Sequence, residues 1–278
     1  MTMERVDPRR PHMLDFVEFH NQHIEAYQQT VADLTEEDAF YWLSYGVDPQ
    51  WWGLGSSEEG MIIPIWFSYT IYERDKPGGE LKRDADGNPI KRLKSILRGA
   101  KIRKRDTQDP SIPKYRAIPG SSTGGPYPDW NLCLVDGTNM LGRPEPYVII
   151  VEAEKDAMLL SQMGEAAVAW HPDSKWDPFI GQMTRPYEQI VILRDNDGPG
   201  QTIAKRIKAA LAREGRTSGV LVTYIADEGV KQVSDLFNLN FMREYESNGR
   251  DKDKAYRAAR EVVGQRLRKL RERVLAAR

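Results

Sequence analysis

Four short apolar runs in the second half of the chain constrain the fold most. They read YVIIV, AAVAW, QIVIL and GVLVTYIA, and each has the length of a β-strand. Helical stretches follow the first run, at 156–163, and the third, at 201–213. Continuous apolar strands that alternate with helices indicate a parallel sheet buried on both faces. We therefore predict an α/β unit at 144–240, in which helices flank a four-stranded parallel sheet.

The segments on either side have a different texture. Residues 14–43 carry apolar positions near a 3.6-residue period, which predicts helices, and Thr35 is placed to cap the second one. From there to residue 143 the chain is rich in turn signals and short apolar runs, which indicate a small twisted sheet. We expect 1–143 to form a mixed α+β basic subdomain that binds template. Residues 241–278 should form a basic helical tail whose apolar side carries Val262, Val263, Leu267, Leu270 and Val274.

Composition excludes several classes of protein. Hydrophobic residues make up 40% of the chain and charged residues 29%, which is typical of a globular protein. No apolar run approaches the roughly 18 residues that span a bilayer, and the first twenty residues lack a secretory signal. We expect a cytoplasmic location. Cys133 is the only cysteine, so a disulfide within the chain and a Cys-based zinc site are both excluded.

Charge is distributed unevenly, although the net charge is only −1. Residues 91–116 contain ten basic and two acidic residues, and 243–278 contain twelve basic and six acidic ones. Such a basic segment would neutralise backbone phosphates, although a solvated basic face is the alternative. Unpaired bases could stack on Tyr115 or on Trp51 and Trp52, which could instead be core residues. The predicted nucleic-acid contacts are Lys91, Arg92, Lys94, Arg98, Lys101, Arg103, Lys104, Arg105, Lys114, Tyr115 and Arg116.

Acidic residues follow three of the four predicted strands. Ligands bind at the carboxyl ends of the strands in open parallel sheets. Asp195 and Asp197 alternate on extended backbone, so both can face one cavity. With Glu152 they would form a three-carboxylate nest for a divalent cation, which prefers oxygen ligands; pairing with Lys or Arg, or an Asx turn, is the competing interpretation. Further carboxylates near this edge are Asp156, Asp227, Glu228 and Asp235.

The segments VEAEKDAMLL, LRDNDGPGQTIAKRIKAAL and DEGVKQVSDLFN resemble, in order and spacing, the three motifs of the Toprim fold in bacterial and phage replicative primases. These are the Glu motif, the Asp-x-Asp motif and a Lys-containing motif. TEEDAFYWLSYGVDPQWWGLG, GMIIPIW and LRGAKIRKRD are similar to the region that precedes Toprim in those enzymes. The resemblance covers about residues 23–240. Two positions depart from the pattern: Ala153 replaces the usual Gly, and Gln232 replaces a metal carboxylate.

The resemblance implies a primase-like nucleotidyltransferase that makes short RNA primers on single-stranded DNA with Mg²⁺ or Mn²⁺ and without zinc. It assigns Glu152 to acid/base or metal-ordering work and Asp195 and Asp197 to the metal ions. Asp156 and Asp235 would be further metal carboxylates, and Lys231 and Lys175 would contact the nucleoside triphosphate.

The chain shows neither a zinc module nor a nucleoside-triphosphatase loop. A separate helicase or template-recognition partner is therefore expected, as in phages and mobile elements. Two alternatives stay open: a Toprim metal-dependent nuclease, and a catalytically silent module that binds nucleic acid or partners.

Overall fold

The computed structural model describes residues 13–105, 113–129, 146–170, 179–185, 187–225 and 229–277. The first part contains α1 (Met13–Ala32), α2 (Glu36–Ser44), α3 (Pro49–Trp52), β1 (Gly55–Ser57), β2 (Gly60–Tyr72), β3 (Lys91–Arg103) and β4 (Tyr115–Ala117). The second contains β5 (Tyr147–Val151), α4 (Glu154–Gln162), β6 (Ala167–Ala169), α5 (Ile180–Met183), β7 (Gln189–Leu193), α6 (Gly198–Arg213), β8 (Val220–Thr223), α7 (Val233–Ser247) and α8 (Lys252–Ala276). Among these helices, none is both long and apolar enough to cross a bilayer.

The N-terminal strands form the predicted small sheet. It is antiparallel, in the order β1-β2-β3-β4, and the long β2–β3 hairpin dominates it. Helix α1 covers one face, where Phe19 and Tyr27 pack against Ile62, Leu97 and Ile102. The predicted helices of 14–43 are confirmed as α1 and α2.

Helix α2 begins at the predicted cap. The Thr35 hydroxyl accepts a hydrogen bond from the backbone N–H of Asp38 at 3.2 Å. In a capping box, the side chain three residues after the cap, here Asp38, would accept a hydrogen bond from the backbone N–H of the cap residue. Here Ser56 takes that place, because it accepts from the Thr35 N–H and donates to the Asp38 carboxylate. The start of α2 is thus fastened to β1.

The second sheet is parallel, four-stranded and ordered β6-β5-β7-β8, as predicted. Every residue of the two central strands, β5 and β7, is buried. Helices follow β5 and β7, which confirms the α/β unit flanked by helices. Because β5 and β7 are neighbours, the residues that directly follow them lie at the same sheet edge.

One hydrophobic core extends through all three predicted segments. It contains Trp42 and Met61 from the N-terminal part, Ile149 and Val191 from the parallel sheet, and Phe237 from α7. Helix α7 runs across residue 240, where the sequence suggested a boundary. Most of the apolar stripe predicted on α8 belongs to this core, namely Val263, Leu267, Leu270 and Val274. Val262, the other predicted member, is only partly buried.

Candidate functional site

Two aspartates converge on one ammonium group at the carboxyl edge of the parallel sheet. Asp195 follows β7, and Asp197 is the N-cap of α6. The Lys231 Nζ lies 3.4 Å from Asp195 Oδ2 and 3.0 Å from Asp197 Oδ2. The alternating aspartates therefore face one position, as the sequence predicted, and a cationic side chain from the loop before α7 occupies it.

Backbone contacts hold this arrangement in place. The Asn196 N–H donates to the Lys231 carbonyl at 2.7 Å, which ties the loop after β7 to the segment that carries the lysine. Asp197 Oδ1 accepts from the Gly200 N–H at 2.7 Å, so one oxygen caps α6 while the other faces Lys231. A Cβ at Gly200 would lie 2.5 Å from the Asp195 carbonyl oxygen. Only glycine fits at this close approach.

The two carboxylates have different pKa values because their surroundings differ. Burial raises the pKa of Asp195, and the attraction of Lys231 only partly offsets that effect. The Gly200 N–H, followed by Lys231, lowers the pKa of Asp197. The hydrogen bond to Asp197 in turn raises the pKa of Lys231, which keeps its ammonium charged. Two carboxylates thus share one ammonium group.

The predicted three-carboxylate nest is not present in this arrangement. Within the described part of the chain, no three His, Cys, Asp or Glu side chains are grouped closely enough to hold a metal ion. Glu152 directly follows β5 at the same edge and is partly buried, but it does not complete a triad with Asp195 and Asp197. The Lys231 ammonium instead occupies the position that both aspartates face, which is the competing interpretation, pairing with Lys or Arg, recognised from the sequence.

Asp156 and Asp235, predicted as further metal carboxylates, are committed to other partners. Asp156 lies in α4 and is 1% exposed. It accepts a hydrogen bond from the Ser234 N–H at 2.9 Å, so it caps the first turn of α7. Burial raises its pKa to about 6. Asp235 accepts from the Lys155 ammonium at 3.1 Å and from the Gln232 amide at 3.2 Å. Both side chains therefore join α4 to the start of α7.

Basic side chains from the N-terminal sheet border the carboxylate edge. The Lys101 ammonium forms an ion pair with Glu154, which begins α4. The Arg103 guanidinium lies over the Tyr41 ring at 4.2 Å and is 8% exposed. Burial lowers the pKa of Lys114, and nearby Arg103 and Lys155 lower it further, because each disfavours another positive charge. A cationic border therefore adjoins the aspartate pair.

Lys155 belongs to this border, and the sequence prediction missed it. It is 7% exposed, and its ammonium lies 4.1 Å from the centre of the Tyr45 ring. A buried cation in the first turn of a helix opposes the helix dipole. A lysine in the first turn of the helix predicted in VEAEKDAMLL could therefore have been recognised from the sequence as a residue that needs carboxylate or aromatic partners.

The prediction that Arg98 contacts nucleic acid was wrong. Arg98 is 2% exposed, and its guanidinium donates to the backbone carbonyls of Ser122, Gly124 and Pro126 and, through Nε, of Trp66. It therefore supports the loop that follows β4. Sequence counting could not separate this arginine from its exposed neighbours, because helix α1 and that loop cover this part of β3.

The remaining basic residues of 91–116 differ in their availability. Arg105 is bound to the buried carboxylate of Asp38, Arg92 to Glu73 and Arg116 to Glu59. Lys94 is exposed and Lys104 partly exposed. Contact of these side chains with nucleic acid stays a prediction. The Lys91 side chain lies outside the described atoms, as do the whole of Lys175, Asp227 and Glu228.

The aromatic candidates are of two kinds. Trp52 is 3% exposed and belongs to the core, whereas Trp51 is 56% exposed. Tyr115 packs partly buried against the core, and burial raises its pKa to about 12. Of the two tryptophans, only Trp51 is exposed enough for a base to stack on it.

Comparisons with known proteins found similarity to primase structures. The primase fragment of the bacteriophage T7 primase-helicase protein aligns with 75% of this chain and 69% of its own, at 16% identity and a TM-score of 0.41. A DNA primase domain from Pseudomonas aeruginosa aligns with 76% of this chain and 59% of its own, at 16% identity and a TM-score of 0.41.

The DnaG primase catalytic domain bound to single-stranded DNA aligns with 77% of this chain and 58% of its own, at 17% identity and a TM-score of 0.39. The chain thus spans less than two thirds of the Pseudomonas and DnaG chains. No protein-family model and no curated protein sequence matches it. These values describe a distant likeness of shape and assign no activity to the chain.

Proposed function

We propose that this protein is a primase-type nucleotidyltransferase that extends short RNA primers on single-stranded DNA. The observation that carries the proposal is the convergence of Asp195 and Asp197 on one cation position, 3.4 and 3.0 Å from the Lys231 ammonium. This position lies at the carboxyl edge of a parallel sheet, where such folds bind ligands. Basic residues of β3 and α4 border it.

The residues fit a divalent metal ion. Mg²⁺ binds proteins through one or two carboxylates and completes its shell with waters and substrate phosphates. Asp195 and Asp197 supply two carboxylates that already share a cation, so a metal ion would displace the Lys231 ammonium. When bound, Mg²⁺ or Mn²⁺ would neutralise charge on the transferring phosphate and favour in-line attack.

The basic border suits the triphosphate and the template strand. Arg103, Lys114 and Lys155 lie close enough together to influence the pKa of Lys114. Phosphate oxygens would relieve the repulsion among these cations, and the displaced Lys231 ammonium would be available to them as well. The partly exposed Lys104 and the exposed Lys94 would extend this path along the template.

In the reaction the primer 3′-oxygen forms a bond to the α-phosphorus of the incoming nucleotide, and the bond from that phosphorus to the bridging oxygen breaks, releasing pyrophosphate. Glu152 is the side chain at this edge proposed to accept the hydroxyl proton. Its place directly after β5, beside the Asp195 strand, supports that role. Strand separation and template selection would come from other proteins.

One observation favours a second candidate, a catalytically silent nucleic-acid-binding module. The Lys231 ammonium contacts both aspartates, and Gln232 stands where a further carboxylate is typical of the motif that the sequence resembles. A protein that uses Lys231 permanently in this way would bind nucleic acid through its basic border and perform no transfer. The two candidates differ in whether the aspartates are needed.

A primer-synthesis assay tests the proposal. The protein is incubated with single-stranded DNA, labelled ribonucleoside triphosphates and Mn²⁺, and labelled RNA is measured. The variant pair is Asp195→Asn/Asp197→Asn; the matched control is Asp75→Asn/Asp84→Asn in the β2–β3 hairpin, where Asn can keep the turn hydrogen bonds. We expect primers from the wild type and the control, and at least about 100-fold less from the site variant.

The outcomes separate the candidates. Labelled RNA from the site variant at the wild-type level would show that Asp195 and Asp197 do not carry the transfer, which overturns the proposed site. No labelled RNA from any of the proteins would overturn the transferase and favour the silent module. Metal-dependent cutting of the template without triphosphates, lost in the site variant, would show a nuclease instead.

A further inference from the structure

A second basic groove lies between α8 and the end of α4. It has a volume of about 330 Å³, within the range of small ligand sites. Met163, Gly264 and Leu267 are its uncharged lining residues. Its charged lining consists of four arginines and two glutamates: Glu165, Arg257, Arg260, Glu261, Arg268 and Arg271.

The groove retains positive charge after its own ion pairs are counted. Arg271 binds the buried Glu165 at 3.1 Å, and Arg268 binds Glu261 at 2.9 Å on the same exposed helix face. The two other arginines have no glutamate of the groove to pair with. Arg260 donates to the Gln162 carbonyl at the end of α4, and Arg257 is exposed. Two guanidinium charges thus exceed the carboxylates.

Gly264 keeps the middle of the groove open. A glycine inside a helix destabilises it by roughly 0.5–1 kcal/mol relative to alanine. Packing does not require it here, because a Cβ would meet only Met163 Cε at 3.7 Å and Arg268 Nη1 at 3.8 Å, which are ordinary contacts. The glycine therefore leaves space between the arginines that a longer side chain would fill.

The groove is distinct from the carboxylate site. The hydroxyl of Tyr147, the first residue of β5, is bound to Glu165 and to Arg271. This places the groove at the amino edge of the sheet, whereas Asp195 lies at the carboxyl edge. The five residues of β5 separate the two edges by roughly 17 Å.

We propose that this groove binds the phosphodiester backbone of a single nucleic-acid strand. Guanidinium groups bind phosphate oxygens bidentately and hold them better than ammonium groups do. From Arg257 to Arg271 the row extends over roughly 21 Å of helix, which suits successive phosphates of a strand rather than one mononucleotide. The inference goes beyond the proposed function, because strand binding here needs no catalysis at Asp195.

Salt-dependent binding of a fluorescent thymidine 20-mer to the full chain tests this site. The test variant is Arg257→Gln/Arg268→Gln, in which both side chains are exposed and the one ion pair lost is on the surface of α8. The matched control is Lys269→Gln/Arg273→Gln, which removes the same charge from exposed positions of α8 outside the groove. A second comparison sets Gly264→Gln, which places a long side chain in the groove, against Gly264→Ala.

Loss of two phosphate contacts should reduce the slope of log affinity against log salt by about 1.4. We expect this change of slope in the test pair, together with at least threefold weaker binding at low salt. In the control pair the change of slope should be less than half as large. Gly264→Gln should weaken binding at least threefold, and Gly264→Ala should not.

Equal slopes in the two charge pairs, or unaffected binding in Gly264→Gln, would overturn the proposal. Displacement of the 20-mer from the wild type, but not from the test pair, by inorganic triphosphate at micromolar concentration would show that free polyphosphate is the ligand. That result would overturn the strand assignment.

Discussion

The buried carboxylate of Asp38 depends on one guanidinium. Burial alone would raise the pKa of Asp38, but the hydrogen bonds from Arg105 and Ser56 and the Arg105 charge outweigh it and lower the pKa. We predict that Arg105→Gln lowers the free energy of unfolding at pH 7 by about 1–3 kcal/mol, because it leaves a buried anion poorly paired. Urea unfolding measures this.

The pH dependence gives that prediction a sign. A lowered folded pKa contributes stability above the unfolded pKa, and this stability is lost as pH falls through the folded pKa. The difference between wild type and Arg105→Gln should therefore shrink as pH falls below about 4. A difference that is constant with pH would contradict the assigned ion pair.

Lys231 is predicted to compete with a metal ion for the aspartate pair. Lys231→Met should lower the free energy of unfolding by about 1–3 kcal/mol without metal, because the buried Asp195 loses its partner. Mn²⁺ should then raise the Tm of Lys231→Met more than that of the wild type. Thermal unfolding with and without Mn²⁺ checks this, and equal Mn²⁺ shifts in both proteins would contradict competition.

At the residue scale, the sequence identified side chains whose position follows from local pattern. Asp195 and Asp197 were predicted to be able to face one cavity because they alternate along extended backbone, and both contact the Lys231 ammonium. The contact of Lys231 with both, the commitment of Asp156 to α7 and the burial of Arg98 depend on how distant segments pack. No local period carries that information.

At the scale of elements, the turn between α2 and α3 packs closely against α4 and α7. Gly46 has φ +80°, and a Cβ there would lie 2.6 Å from Leu159 Cδ1 and 2.8 Å from Phe237 Cδ2. We predict that Gly46→Ala lowers the free energy of unfolding by about 2–5 kcal/mol, since left-handed strain and overpacking add.

Gly87 is the matched control for this prediction. Its φ is +82°, and a Cβ would meet nothing within 4 Å. Gly87→Ala should therefore cost only about 1–2 kcal/mol from the backbone term. Equal losses in the two variants, measured by urea unfolding, would show that the packing of α2 against α4 and α7 is looser than the structure shows.

The elements themselves were largely predictable. The four apolar runs, the cap at Thr35 and the stripe on α8 are local signals, and each has its counterpart in the structure. The faces of β3 were not predictable in the same way. Its residues 97–100 are all buried, because α1 and the loop after β4 cover the strand on two sides.

For the whole molecule, the shared core predicts that the parallel-sheet unit does not fold alone. A fragment of residues 146–248 would lack Trp42 and Met61 and all of α8, which contribute to the same hydrophobic core as Ile149 and Phe237 in the full chain. We predict that it shows no cooperative thermal transition by circular dichroism, whereas the full chain does. A cooperative transition in the fragment would instead support independent domains.

The central claim is that Asp195 and Asp197 form a position for a divalent cation, and Mn²⁺ titration followed by electron paramagnetic resonance tests it most directly. We predict that the wild type and the Asp75→Asn/Asp84→Asn control bind one Mn²⁺ with the same affinity, and that Asp195→Asn/Asp197→Asn loses this site. Equal Mn²⁺ binding by the site variant, or none by the wild type, would contradict the account.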